Sequence, residues 1–247
     1  MERDDRSPVS TYFADADFSA DGVTTLGEQA AHHARVKRLD VGDHVQLTNG
    51  RGSIAIGVLA RITKTAVEIA VESIRSVPAP FPIHLRAPIA DRDRMLLLAE
   101  KATELGIASW QSVRFTRSTS VSPRGEGPAF AAKVHARMVA ALEQSAGAWL
   151  PRLLEDATVS SLQVSNDEAP ILLDAAGGPM AAVASGLGTR SPVILVGPEG
   201  GMEPDEVRRL TEAGWRRVRL APNTLRFETA GIAAVAAIRA TRYSEEE

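Results

Sequence analysis

Two apolar segments that each run into a loop and then a helix place the strongest restriction on the fold of this chain. The first is VILVGPEGGMEPDEV, Val193 to Val207, and the second is LAPNTLRFETAGIAAVAAI, Leu220 to Ile238. A strand, a loop and a helix in succession form the repeating unit of α/β proteins, whose ligands bind at the carboxyl ends of the strands. The two loops are therefore predicted to frame one pocket.

The first loop has the composition of a ligand site, although it is not a phosphate cradle. Gly197, Gly200 and Gly201 have no Cβ, so a ligand is expected to approach the main chain closely. A P-loop needs Lys and Ser or Thr after its last glycine, and a dinucleotide site needs GxGxxG, whereas Met202 follows here and Glu199 makes the loop anionic. The loop favours a neutral or cationic ligand, and an ordinary turn is the alternative.

Composition excludes several classes of protein. With 247 residues, of which 44% are hydrophobic and 24% charged, the chain can form one large domain or two modest ones. Zero cysteines and five scattered histidines exclude disulfides and thiolate nucleophiles and predict no metal site. No apolar run reaches the length of a membrane span, and the polar start MERDDRSPVS is unlike a signal peptide, so we expect a cytoplasmic protein.

A change of pattern near SVPAPFP, Ser76 to Pro82, divides the chain. Its prolines predict a semi-rigid linker. Before it, alternating residues around the turn dipeptide Asn49-Gly50 predict a small β domain over 1–76. After it, strand patterns alternate with helical ones, as in Ile83 to Ala90, Ile107 to Phe115, ILLDA, VILVG and RVRLA. Residues 77–247 are therefore predicted to form an α/β domain with a mainly parallel sheet.

GPEGG together with LRFETA resembles the SPOUT class of methyltransferases, and in particular the ribosomal RNA small subunit methyltransferase E family. KATELGI (101–107), ALEQS (141–145) and HARVKRLDVGD (33–43) resemble stretches of the same family in the same order. The resemblance thus runs over most of the chain. Two positions depart from the family pattern: Phe227 lies within the RTETA-like element, and Gly147 follows EQSA where a basic residue is common.

This resemblance implies an α/β fold: a SPOUT trefoil-knotted, parallel-sheet methyltransferase domain preceded by a small PUA-like, RNA-binding β-barrel domain. It also implies a homodimer that uses S-adenosyl-L-methionine to methylate N3 of a uridine in 16S rRNA or the small ribosomal subunit, without a metal or a membrane. The implied cofactor contacts are Leu173, Val196, Gly197, Pro198, Glu199, Gly200, Gly201, Leu220, Ala221, Pro222, Asn223, Leu225, Thr229 and Ala230.

Arg226 and Glu228 are the predicted catalytic residues. Uridine N3 carries a proton that must leave as the nitrogen attacks a methyl group, and Arg226 is expected to stabilise the negative charge that develops. Glu228, water or a group from the second subunit is the candidate base. The alternatives are a surface ion pair for Arg226 and helix capping for Glu228 and Thr229.

The distribution of basic residues suggests RNA contacts even though the formal net charge is −3. Residues 86–152 contain ten Lys or Arg against six acids, and a second basic cluster lies at 35–38. Solvated helix faces are the alternative interpretation. The predicted RNA-binding residues are Arg35, Lys37, Arg38, Arg94, Lys101, Arg114 and Arg117.

Two rival functions follow from the same sequence. One is a non-catalytic RNA-binding module that retains a degenerate pocket, against which the intact GPEGG and LRFETA elements argue. The other is a methyltransferase of the same fold that acts on a ribose 2′-hydroxyl or a tRNA base, against which HARVKRLDVGD and KATELGI argue.

Overall fold

The computed structural model describes residues 8–120, 125–184 and 186–243. Arg124, one of the basic residues of the 86–152 window, lies outside the described residues, as do the first seven residues of the N-terminus. Contacts divide the chain into two compact units, Met1–Ala79 with Val139–Leu150, and Pro80–Met138 with Pro151–Glu247. The predicted division into 1–76 and 77–247 assigns Val139–Leu150 to the second domain, and it stays a prediction.

In the described residues, the first unit contains a five-stranded sheet, one complete helix and the carboxyl-terminal end of another. Its elements are β1 (Thr11–Phe13), β2 (Val23–Leu26), α1 (Glu28–Val36), β3 (His44–Thr48), β4 (Ser53–Ile62) and β5 (Val67–Ser76). The strand order is β1-β3-β4-β5-β2, with β1 parallel to β3 and the other pairs antiparallel. Its buried core includes Tyr12, Ala31, Ala34, Val45, Leu47, Leu59, Val67 and Ile69. The small β domain predicted from alternation is confirmed.

The turn at Asn49-Gly50 is also confirmed, and its geometry explains why these residue types are present. The Asn49 side-chain oxygen accepts hydrogen bonds from the backbone N–H groups of Arg51 at 2.8 Å and Ser53 at 3.0 Å. Gly50 has a φ of 68°, which glycine adopts without steric cost. The turn thus joins β3 directly to β4.

The second unit has a parallel sheet, as predicted. Its elements are β6 (His84–Pro88), α2 (Arg92–Glu104), β7 (Ser109–Arg114), α3 (Pro128–Gln144), β8 (Arg152–Leu153), β9 (Ala157–Thr158), β10 (Glu168–Pro179), α4 (Met180–Ala184), β11 (Ser191–Val196), α5 (Pro204–Glu212), β12 (Arg216–Arg219) and α6 (Phe227–Tyr243). The carboxyl-terminal part of α3 belongs to the first unit. Among the described residues the sheet order is β12-β10-β11-β6-β7-β8, with β9 also paired to β7, and each pair is parallel.

Local sequence explains where the helices of this unit begin and end. Asp91 caps α2 by accepting the N–H of Arg94, and Gly106, with a φ of 72°, follows the helix. Pro204 occupies the first turn of α5, where its missing N–H costs nothing. Glu203 and Glu206 form a capping box at the same end.

The alanine-rich α6 packs closely on α2, as its composition predicts. A Cβ built at Gly231 would lie 2.8 Å from a terminal methyl carbon of Leu98, so the α6 backbone approaches the buried Leu98 directly. This contact holds the first part of α6 against α2. None of the described helices is long and apolar enough to cross a membrane.

A bulge in β10 interrupts its pairing with the neighbouring edge strand β12. Leu173 and Gly178 both align with Val218 of β12, so residues 174–177 interrupt the regular pairing. A Cβ built at Gly177 would lie 2.7 Å from the carbonyl oxygen of Arg217, closer than real Cβ atoms come to backbone. Glycine at 177 therefore allows the bulge to fit against β12.

We predict that Gly177→Ala destabilises the protein by about 1–3 kcal/mol, because the added methyl group meets backbone that has to shift. Gly178→Ala is the matched control, since a Cβ at 178 has no atom within 4 Å. Urea unfolding of both variants measures the difference. Equal midpoints would show that β12 accommodates the methyl group and that the bulge does not require glycine.

Candidate functional site

A cleft of about 540 Å³ lies at the carboxyl ends of β10, β11 and β12 and against the first turn of α6. The order of these strands places β10 between β11 and β12, so β10 residues 173–175, where its pairing with β11 ends, meet the segments that follow β11 and β12. The two loops predicted to frame one pocket therefore do so. The predicted cofactor residues that line the cleft are Leu173, Val196, Gly197, Pro198, Glu199, Gly201, Leu220, Ala221, Asn223, Leu225 and Ala230.

Three predicted cofactor residues are next to lining residues but are not themselves among the described residues that line the cleft. They are Gly200, Pro222 and Thr229. Pro222 and Thr229 are exposed, which suits a loop residue and a residue in the first turn of a helix. Gly200 has a different environment, which is the contact with Arg117 described below.

The structure gives a different reason for the glycines of the first loop than the one predicted. A Cβ at Gly197 would lie 3.3 Å from Met202 Cγ, and one at Gly200 would lie 3.3 Å from Arg117 Cβ. A side chain at either glycine would therefore press on a neighbouring side chain, and Gly197 itself lines the cleft. Gly201 adopts a φ of 72° and donates its N–H to the Pro198 carbonyl at 2.9 Å, which closes the turn.

Two carboxylates and three arginines give the cleft its charge. Arg94 Nη1 lies 2.8 Å from Glu199 Oε1, and both residues line the cleft. Asp174 lines it from the β10 bulge and is held by Arg217 Nε at 2.8 Å and by the N–H of Ala176 at 2.9 Å. Arg219 and Arg226 complete the charged lining.

Asp174, Ala175 and Arg219 are lining residues that sequence analysis missed. Asp174 and Ala175 directly follow the apolar run of β10, in the ILLDA segment, and Arg219 is the last residue of β12. The rule that ligands bind at the carboxyl ends of strands applies to these positions as it does to GPEGG. Applied to the sequence, that rule would have predicted Asp174, Ala175 and Arg219 as lining residues.

The two predicted catalytic residues lie at the start of α6 but differ in exposure. Arg226 is exposed, lines the cleft and accepts the N–H of Ala230 with its carbonyl oxygen at 2.8 Å, so it sits where α6 begins. Glu228 is 7% exposed and is not among the described lining residues. Its Oε2 is buried and has no hydrogen-bond partner in the described part of the chain. The structure thus brings Arg226, but not Glu228, to the cleft surface.

The two departures from the family pattern both have structural explanations. Phe227 is 3% exposed and contributes its side chain to the lining, so an apolar residue fits that position. Gly147 follows α3, and a Cβ there would lie 2.7 Å from Leu142 Cδ1. A basic side chain at 147 would therefore have to displace Leu142.

The predicted RNA-binding residues of the second unit are engaged with carboxylates. Lys101 lies 2.9 Å from Glu100 and 2.8 Å from Glu104, and these hydrogen bonds raise the pKa of Lys101. Arg114 pairs with Glu126, and Arg117 Nε lies 2.8 Å from Glu203 Oε1. Their positive charge is thus partly neutralised within the unit.

The basic cluster of the first unit is more open. Arg35, Lys37 and Arg38 are exposed at the end of α1. Arg35 donates to the Lys64 carbonyl at 2.9 Å, and Lys37 Nζ donates to Ser10 Oγ at 3.3 Å. Burial, then the charge of Lys37, lowers the pKa of the neighbouring His33, so this ring adds little positive charge at neutral pH.

Across the described residues, no group of three or more His, Cys, Asp or Glu side chains is arranged to hold a metal ion.

Residues 77–239 match the family model for an RNA methyltransferase domain, and residues 26–72 match the model for an RNA methyltransferase PUA domain. The chain belongs to the RNA methyltransferase family. The family that GPEGG and LRFETA predicted is thereby confirmed, and the matched region contains every residue of the cleft.

Relatives of this RNA methyltransferase carry a more specific name. Proteins named ribosomal RNA small subunit methyltransferase E are 29% identical in Mycobacterium bovis, over 86% of this chain and 84% of that protein, and 26% identical in Bacillus subtilis, over 86% and 87%.

Solved structures share the fold. A ribosomal RNA small subunit methyltransferase E from Neisseria gonorrhoeae, bound to S-adenosyl methionine, has a TM-score of 0.83 at 22% identity, covering 94% of this chain and 97% of that chain. A putative methyltransferase from Legionella pneumophila with bound cofactor has the same TM-score, identity and coverage. At this identity the likeness establishes the fold, a parallel-sheet methyltransferase domain after a PUA domain.

The buried, unpartnered Oε2 of Glu228 leads to a stability prediction. A buried carboxylate oxygen without a hydrogen bond costs free energy, so Glu228→Gln should leave stability unchanged or raise it by about 1 kcal/mol. Glu206→Gln is the matched control in the first turn of α5, because the Glu206 carboxylate accepts hydrogen bonds from Thr116 N, Thr116 Oγ1 and Glu203 N. That variant should lose about 1.5–3 kcal/mol.

Urea midpoints at neutral pH compare the two variants. A Glu228→Gln protein destabilised as much as Glu206→Gln would mean that Glu228 makes stabilising contacts in the folded protein in solution.

Proposed function

We propose that this protein is an S-adenosyl-L-methionine-dependent methyltransferase that methylates N3 of a uridine in 16S rRNA. The observation that carries the proposal is the cleft in which the GPEGG loop and the LAPNTL loop, residues 220–225, face one another at the carboxyl ends of β11 and β12, the two parallel neighbours of β10. The names of the relatives support the rRNA substrate, and the cofactor in the Neisseria gonorrhoeae structure supports the methyl donor.

The cleft suits this cofactor in size and charge. Its volume of about 540 Å³ falls within the range typical of sites for molecules of this size. Leu173, Val196 and Leu225 provide apolar lining, and the main chain of the two loops offers hydrogen-bonding groups for an adenine edge. Asp174 and Glu199, each paired with an arginine, place negative charge where the sulfonium and ammonium groups of the ligand would bind.

Arg226 has the central role in the proposed chemistry. The bound cofactor supplies an electrophilic methyl group. When uridine N3 loses its proton, negative charge spreads to the carbonyl oxygens O2 and O4, and a fixed guanidinium stabilises that charge more in the transition state than in the ground state. The Arg226 side chain stays charged at any working pH and presents a planar fork of donors.

We propose that one of three groups accepts the N3 proton: Glu228, water or a group from a second subunit. The buried, unpartnered Oε2 of Glu228 keeps this carboxylate in consideration. Its position off the described cleft surface means that it would act through a water molecule or after a local rearrangement.

Other features are part of the same proposal and rest on the family resemblance. We propose a homodimer in which the neighbouring subunit completes each cofactor pocket, a trefoil knot in the C-terminal part, and a location in the cytoplasm. The contributions of Gly200, Pro222 and Thr229 to cofactor binding, and of the basic residues to RNA binding, are also proposals.

The function is tested on small ribosomal subunits from a strain that lacks this gene. Purified protein and S-adenosylmethionine are added, and the 16S rRNA is mapped by nuclease digestion and mass spectrometry. The proposal expects one uridine to gain a methyl group at N3. Methylation of a ribose or of another base would replace the substrate assignment, and cofactor binding with no methylation of any RNA would favour a binding module.

We predict that Arg226→Ala lowers the single-turnover rate of methyl transfer by about 100-fold to 1,000-fold at saturating RNA, with cofactor affinity largely kept. Arg226→Lys should lose most of the activity, because a single ammonium cannot reproduce the planar fork. Arg219→Ala is the matched control, since it removes another arginine from the same cleft. Equal losses in the Arg219 and Arg226 variants would assign the effect to overall cleft charge.

A further prediction concerns the basic cluster of the first unit. Replacing Arg35, Lys37 and Arg38 with Ala should weaken binding to the ribosomal substrate and flatten its salt dependence, because fewer phosphate contacts release fewer counterions. Cofactor affinity should not change. The control removes three other exposed cations of the same unit, Arg61, Lys64 and Arg75. If both triple variants bind RNA equally, the cluster at 35–38 has no special role.

A further inference from the structure

Two arginines hold the glycine loop, residues 197–203: Arg94 is part of the cleft lining, and Arg117 is not among the described lining residues. Arg94, in the first turn of α2, pairs with Glu199 at 2.8 Å. Arg117 follows β7 and uses two different nitrogens: Nη1 donates to the Gly200 carbonyl at 2.9 Å, and Nε donates to Glu203 Oε1 at 2.8 Å. One guanidinium thus ties the middle of the loop to the residue that caps α5.

The residue before Arg117 strengthens this connection. Thr116 donates its N–H to Glu206 Oε1 at 2.8 Å and its hydroxyl to the same oxygen at 3.0 Å. Glu206 in turn accepts the N–H of Glu203 through Oε2 at 2.9 Å. Thr116 and Arg117 therefore fix the loop and the start of α5 as one hydrogen-bonded assembly.

A loop with three glycines needs such support. Glycine loses more conformational freedom on ordering than any other residue, so a ligand that binds the loop main chain must otherwise order it. Within the described loop, one backbone hydrogen bond, from Gly201 N–H to the Pro198 carbonyl, closes the turn. Contacts that hold the loop in advance lower the cost of binding.

The glycines and Arg117 also fit each other sterically. A Cβ at Gly200 would lie 3.3 Å from Arg117 Cβ and 3.7 Å from Arg117 Cδ, and one at Gly201 would lie 3.6 Å from Arg117 Nη1. The Arg117 side chain therefore lies against the face of the loop from which the glycine side chains are missing. Gly200 is not among the described lining residues of the cleft, so its small size serves this contact.

We propose that Arg117 is a positioning residue that sets the conformation of the glycine loop and thereby the affinity of the cleft for its cofactor, with Arg94 supporting the other side. This inference rests on the proposed function, because it names S-adenosylmethionine as the ligand. Arg94 and Arg117, which the distribution of basic residues predicted to bind RNA, thereby receive a different role. The planar fork is essential, because a lysine ammonium cannot hold Gly200 and Glu203 in the same fixed geometry.

The first experiment measures S-adenosylmethionine binding by calorimetry for the unmodified protein, Arg117→Ala, Arg117→Lys and the control Arg208→Ala. Arg208 is an exposed arginine on α5 that pairs with Asp205 at 2.8 Å and lies 4.0 Å from Glu212, and both carboxylates are outside the glycine loop. Loss of two charge-assisted hydrogen bonds should weaken binding at least about tenfold in Arg117→Ala. Arg117→Lys should be intermediate, and Arg208→Ala should bind normally.

Kinetics then separate positioning from catalysis and from RNA binding. In Arg117→Ala the KM for S-adenosylmethionine should rise, while the single-turnover rate at saturating cofactor and the affinity for RNA stay near normal. Normal cofactor affinity combined with weaker RNA binding and a flatter salt dependence would overturn the proposal in favour of a phosphate contact. An unmodified protein that does not bind S-adenosylmethionine at all would instead reject the proposed function.

A double-mutant cycle tests the steric match between Gly200 and Arg117 directly. Gly200→Ala should weaken cofactor binding in the unmodified protein but have little further effect in an Arg117→Gly background, where the Cβ contact is absent. Thermal unfolding identifies any variant that is not folded. Fully additive effects would show that a Cβ at 200 interferes with the ligand itself and would contradict the proposed pairing of Gly200 with Arg117.

Discussion

The parallel pairing of β10 with both β11 and β12 is the constraint on which the site depends. Because β10 lies between β11 and β12, its residues 173–175, where the pairing with β11 ends, meet the loops that follow those two strands. Gly177 allows the bulge of β10 to fit against β12, and that bulge carries Asp174 and Ala175 into the lining. A cleft built mainly from main chain and apolar side chains suits a small cofactor better than it suits RNA.

Much of this arrangement could be predicted because it depends on local sequence. The strand patterns Ile83 to Ala90 and Ile107 to Phe115 correspond to β6 and β7. The strand–loop–helix pattern of the two motifs was enough to predict that their loops meet. The family resemblance then identified most of the lining residues, including Leu173, whose position alone carries no chemical signal.

The functions of the charged side chains could not be predicted in the same way, because each depends on a partner far away in the chain. Arg94 and Arg117 belong to a window rich in basic residues, yet their carboxylate partners are Glu199 and Glu203. Similarly, nothing in the sequence shows that Glu143 of α3 accepts the N–H of Phe13, or that the end of α3 belongs to the first unit. Net charge over a window cannot distinguish a free cation from one already paired within the fold.

The central claim is that the cleft at the ends of β10, β11 and β12 is the cofactor site. A crystal structure with bound S-adenosylhomocysteine, the demethylated product, tests it most directly. The account predicts density for the ligand between the glycine loop and residues 220–225, with the adenine edge on main-chain groups and Arg226 at the mouth. Density in the second cleft, which Arg114, Thr158 and Arg209 line, or at any position away from these two loops, would contradict it.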